Sequence, residues 1–90
     1  TATQTFWMFY EGLAIAGSGT PTLGMEIMIN GTTLVDQLVG IPINASTYTL
    51  ITKQAYFQLT PGQYVELWIN LNPSTTLTLN QFRFSVHQVS

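Results

Sequence analysis

The single histidine, His87, stands two residues after Ser85. A Ser beside a His is the core of nucleophilic hydrolysis, in which the imidazole takes the hydroxyl proton and a carboxylate orients the ring. On a strand, however, a spacing of two places both side chains on one face whatever their role. No carboxylate lies near them in sequence, so they are expected to be surface strand residues. General acid–base work requires paired carboxylates, and Glu11, Glu26, Asp36 and Glu66 are scattered. Only Glu26 and Glu66 are placed to meet across strands, and the plainer reading makes them exposed charges. One His, no Cys and no acidic calcium loop leave no metal site in prospect, and no cofactor is expected. GSGTPTLG at 17–24 is rich in glycine, but a phosphate-cradling loop needs a Lys and a following helix; neither is present, and the segment reads as a plain loop. The sequons Asn30-Gly31-Thr32 and Asn44-Ala45-Ser46 matter only in a eukaryotic secreted chain, and Asn30 already has a turn to form. The residues therefore point away from an enzyme.

The background composition suits contact rather than catalysis. Of the 90 residues only 7% are charged, against roughly 25% in an ordinary soluble domain. The polar complement is Thr, Asn, Gln and Ser, which favour strands and turns. A net charge of −2 gives little colloidal repulsion, and self-association is expected. One Lys and one Arg cannot form the basic footprint that a phosphate backbone requires, so nucleic acid is not an expected partner. FWMFY at 6–10 is stopped by Glu11, too short to span a bilayer and without a basic leader, so neither membrane insertion nor a signal peptide is expected. The chain opens on Thr1 rather than Met, which suggests a processed product or a fragment.

These features need elements to carry them, and the patterning is that of strands. Residues 1–5 read as a lead-in arm. Phe6 to Ala16 reads as one strand or two, apolar on both faces at first, which implies cover on each face. Met25, Ile27 and Ile29 alternate with polar or larger neighbours and run into Asn30-Gly31, the strongest short hairpin signal. Thr32 to Val35 returns, Asp36 to Gly40 loosens, and Ile41-Pro42-Ile43 is an edge or a crossover because Pro lacks the ladder donor. Thr47 to Lys53 leads into the stretch Gln54–Leu71. Leu77 and Leu79 mark a short strand, and Phe82, Phe84 and Val86 face the core from the last one, with Arg83, Ser85, His87 and Val89 on its other side.

Gln54–Leu71 is the most regular part. Ala55, Phe57 and Leu59 share a face, then Pro61-Gly62 turns the chain, and Val65, Leu67, Ile69 and Leu71 share a face again. The opposite side carries Tyr56, Tyr64 and Trp68, which with Met28 make an unusual row for a water-facing surface. Three readings stand for this row. It is a subunit interface, since interface cores are rich in aromatics and Met; or a platform for sugar rings at a glycan or receptor site; or core beneath a second sheet. Helical periodicity longer than a turn is absent, and turn signals every 8–12 residues point to a sandwich or barrel.

LGMEIMINGTTLV at 23–35, AYFQLTPGQYVELWI at 55–69 and the closing FRFSV at 82–86 together resemble the globular heads of the tumour-necrosis-factor and complement-type jelly-roll superfamily, including C-terminal domains of bacterial spore-surface collagen-like proteins. The resemblance covers about two-thirds of the chain, and alternating strands joined by a Gly turn recur in many β-proteins. It implies an all-β jelly-roll β-sandwich, a compact trimer with aromatic side chains around the threefold axis, and structural or binding work without catalysis. The chain has room for about seven or eight antiparallel strands, fewer than such heads usually carry. An open edge left by that shortening would admit a neighbour by strand addition and so build a filament.

The expectation is thus one jelly-roll domain over residues 1–90 that is a non-enzymatic, self-assembling module. It would be the trimeric head or subunit of a fibre at an extracellular, spore or virion surface, with Tyr56, Tyr64, Trp68 and Met28 at its interface. The alternative is a glycan- or receptor-binding tip.

Overall fold

The computed structural model describes residues 3–89. They form six antiparallel strands and no helix: β1 Gln4–Ala16, β2 Thr22–Ile29, β3 Thr33–Pro42, β4 Thr49–Leu59, β5 Val65–Asn72 and β6 Leu77–Gln88. Two three-stranded sheets result, ordered β4-β1-β6 and β3-β2-β5. The all-β sandwich expected from the pattern is the architecture found, with six strands in place of seven or eight. The count falls because Phe6–Ala16 lies in one long strand and because Leu77 and Leu79, expected as a short strand of their own, run on into Phe82–Val86 as the single strand β6. Gln4 and Thr5 of the expected arm also belong to β1, paired with Leu59 and Gln58. Thr1 and Ala2 of the expected arm lie outside the described residues.

Period-two alternation decides which side of each strand is buried. Met8, Tyr10, Ala14 and Ala16 of β1 meet Leu23, Met25 and Ile27 of β2 in a fully or nearly fully buried layer closed by Ile43, Ile51 and Phe57. Leu23 is part of that layer because β2 begins at Thr22, inside what composition marked as loop.

The Asn30-Gly31 hairpin is as expected: φ is +54° and +72° at these residues, and the Thr32 N–H donates to the Ile29 carbonyl at 3.1 Å. The segment 36–40 does not loosen. It continues β3, whose register with β2 shifts between Leu23 and Met25 and again between Ile27 and Met28, and these irregularities hide the alternation. Pro42 ends β3 on the sheet edge, where its missing donor is harmless.

The two arms of Gln54–Leu71 part company. β4 joins β1 in one sheet, and β5 joins β2 in the other, so Thr60–Tyr64 is a corner between sheets and not a hairpin turn. Phe57 is buried, and Leu59, Val65 and Leu67 are half-buried against the core. Ile69 is 41% exposed, because β5 is an edge strand with no described strand beyond it. Phe82 and Phe84 pack on Tyr10 with ring centroids 6.2 and 6.4 Å away, whereas Val86, opposite Met8 near the strand end, is 36% exposed.

Candidate interaction face

The β4-β1-β6 sheet has an inner face on the core and an outer face that no part of the described chain covers. Its outer residues follow from the register. Across the three strands they run Tyr56–Trp7–His87, Gln54–Phe9–Ser85, Thr52–Glu11–Arg83 and Leu50–Leu13–Asn80, with Ile15 beside Thr78 below. FWMFY is therefore apolar on both sides for two different reasons. Phe6, Met8 and Tyr10 belong to the core, and Trp7 and Phe9 to the outside.

The outer aromatics hold one another in place. Trp7 stacks on Phe9 at 5.9 Å and on His87 at 5.5 Å between ring centroids, and its Nε1–H donates to Gln54 Oε1 at 3.2 Å. Such offset stacking is worth about 0.5–1.5 kcal/mol per pair beyond area burial, and it fixes a flat platform on the sheet. Tyr56, directly across from Trp7, is 67% exposed, and Leu50 is 60% exposed. Ser85 and His87 do share this face, as strand geometry requires, and His87 spends its ring on Trp7.

Halfway down the face the sheet is deformed. Glu11 pairs in register with Arg83 but Leu13 pairs with Asn80, so β6 carries one extra residue opposite Gly12. Gln81 takes the left-handed conformation that this bulge needs, with φ +54°. Gly12 is required there: a Cβ would stand 2.7 Å from Phe82 Cδ1 and 3.0 Å from Phe82 Cα. The bulge opens a depression of about 460 Å³ lined by Glu11, Gly12, Leu13, Leu50, Gln81, Phe82 and Arg83.

The four residues expected to form one row do not share a face: Tyr56 is on one sheet, Trp68 and Met28 are on the other, and Tyr64 is in the corner between them. Tyr56 lies on the outer face just described. Trp68, 45% exposed, and Met28 lie on the outer face of the β3-β2-β5 sheet, where the register sets Trp68 opposite Glu26 and Met28 opposite Glu66. Glu26 and Glu66 are thus diagonal neighbours across β2 and β5, interleaved with Met28 and Trp68. The Trp68 Nε1–H donates to Glu66 Oε1 at 3.1 Å, and its ring borders Gly31 of the hairpin. Tyr64, 54% exposed, is tied by its N–H to Asn30 Oδ1 at 3.0 Å, while the Asn30 N–H donates to its carbonyl at 2.9 Å. The expected row put the outward faces of the two arms on one side of the molecule, whereas β4 and β5 belong to different sheets. Trp7 and Phe9, which the sequence showed only as half of an apolar run, are what accompany Tyr56.

The one ion pair among the described residues is Lys53–Asp36 at 3.6 Å. Lys53 faces inward from edge strand β4, opposite Tyr10, and Asp36 faces inward from edge strand β3, opposite Ile27. An inward-pointing charge makes an edge unattractive to a foreign strand, so the pair guards the side of the sandwich where β3 and β4 approach each other. Burial and the nearby Asp36 carboxylate push the Tyr10 phenol up to about 12.

Among the described residues no group of three or more His, Asp and Glu side chains is arranged to hold a metal ion, and no helix is long and apolar enough to cross a membrane. No family model matches the chain, and neither a curated protein nor a solved structure matches it.

Proposed function

We propose that the protein is a non-enzymatic, self-associating β-sandwich module, the head or repeating subunit of a fibre at a cell, spore or virion surface. The observation that supports this is the uncovered outer face of the β4-β1-β6 sheet, where Trp7, Phe9, Leu13, Ile15, Leu50 and Tyr56 stand together. Isolated exposed hydrophobics are ordinary, but a contiguous apolar patch on a nearly uncharged protein marks a contact surface. Depletion of charge with enrichment in aromatics is the composition of an interface core. Either assembly suggested by the sequence, a trimeric head or a filament, would gain by burying this face.

Light scattering and native mass measurement on the purified chain test the proposal. A stable oligomer in the micromolar range is expected, and Trp7→Ala should weaken it by about 2 kcal/mol or more, as loss of an anchoring aromatic does. A protein that stays monomeric at high micromolar concentration overturns it.

A second reading rests on Tyr56. Its exposed ring beside Trp7 and the Gln54 amide offers a stacking surface with a hydrogen-bonding partner, the pattern of a glycan-binding platform. Under that reading Tyr56→Ala abolishes signals on a glycan array while leaving the oligomer size unchanged.

A further inference from the structure

We infer that the outer face of the β4-β1-β6 sheet pairs with the same face of a second copy about a twofold axis, setting Glu11 of each copy against Arg83 of the other. The inference rests on the self-association proposed above and specifies its geometry.

Among the described residues, Glu11 and Arg83 are the only formally charged ones on this face, and they occupy the same row. Although they are register partners on adjacent strands, no ion pair joins them within one chain; the bulge at Gln81 opens the depression of about 460 Å³ between them. The rows on either side are uncharged, from Tyr56–Trp7–His87 and Gln54–Phe9–Ser85 to Leu50–Leu13–Asn80. In a twofold interface, residue i meets j and j meets i. A face with one acid and one base side by side is therefore complementary to itself when the axis runs along the strands between β1 and β6. The opposite outer face cannot pair this way, because its β2 and β5 residues include two acids, Glu26 and Glu66, and no base. Burial of an ion pair among apolar side chains adds register more than affinity.

The area is that of a small, weak interface. The molecule is 48 Å long, and an axis between β1 and β6 lays these two strands, about 4.8 Å apart, over the same two strands of the second copy, roughly 460 Å² per copy. A standard interface buries about 800 Å² a side, so the pair belongs at the weak end of specific association.

The test is a charge swap between copies, read by sedimentation and native mass spectrometry. Glu11→Arg and Arg83→Glu alone each place like charges across the interface and should weaken pairing about tenfold or more. An equimolar mixture of the two variants should recover a heterodimer, since each then supplies the charge that the other lacks; that recovery also shows both chains to be folded. The neutral variants Glu11→Gln and Arg83→Gln should each weaken pairing less than the reversals do. The inference is overturned if the reversals pair as well as the wild type, or if the mixture stays unpaired while the wild type pairs. A wild-type trimer overturns the twofold arrangement and leaves self-association standing, whereas a wild-type monomer overturns both.

Discussion

Replacing Tyr10 by Phe should remove a specific part of the alkaline instability of this fold. Tyr10 is 1% exposed, at the centre of β1's inner face, packed by Phe82 and Phe84 and opposite Lys53. Its phenol is raised from 10.0 to about 12, first because burial penalises the phenolate and second because the Asp36 carboxylate repels it. The native state then holds the proton more tightly than the unfolded chain. Stability from this source is fully present below about pH 10 and is lost as pH rises through about 12. At 1.36 kcal/mol per unit, a shift of about two units corresponds to roughly 2.7 kcal/mol over that window. Urea unfolding followed by circular dichroism across the window, on wild type and Tyr10→Phe at equal protein concentration, measures it. The other titratable groups, Lys53 and Asp36 among them, are common to both chains, so the difference in unfolding free energy isolates the phenol. The difference should move by about 2–3 kcal/mol in favour of the variant as pH rises. A difference that stays constant would refute the argument, since it would mean that ionisation of Tyr10 costs the folded state nothing.

Three further outcomes follow from the same packing. Gly12→Ala should destabilise by about 1–3 kcal/mol in urea unfolding, because its methyl would collide with Phe82 side chain and backbone; in a Phe82→Ala background the loss should shrink. Gly31→Ala should cost about 1–2 kcal/mol, since φ is +72° there and the new Cβ would lie 3.2 Å from Glu66 Oε1. Lys53→Met should lower stability by at most about 1 kcal/mol, the pair being partly solvated. It should nonetheless raise concentration-dependent aggregation seen by light scattering, because the β4 edge loses its inward charge; equal aggregation of variant and wild type would remove that role from the pair.

What the sequence determined by itself was local: strand character, the Asn30-Gly31 turn, the edge position of Pro42, and the inward faces of β2 and β4. Each follows from alternation or from a dihedral preference, and those are set by a residue and its immediate neighbours. The interruptions were also local in sequence, but their meaning was not. Gly40 and Gln81 sit in bulged strands, and a bulge shows in sequence only as failed alternation, which is why β3 read as loosening after Asp36. Sheet membership was decided by tertiary structure alone. Period-two patterning says that Tyr56 and Trp68 each point away from a core, and is silent on whether it is the same side of the molecule, because either partner sheet buries the same residues equally well. Pairing β4 with β1 and β5 with β2 sent those two rings to opposite outer faces. The same pairing assembled Trp7, Phe9, Tyr56 and the Glu11–Arg83 row from three separate strands, a surface that no contiguous stretch of the chain contains.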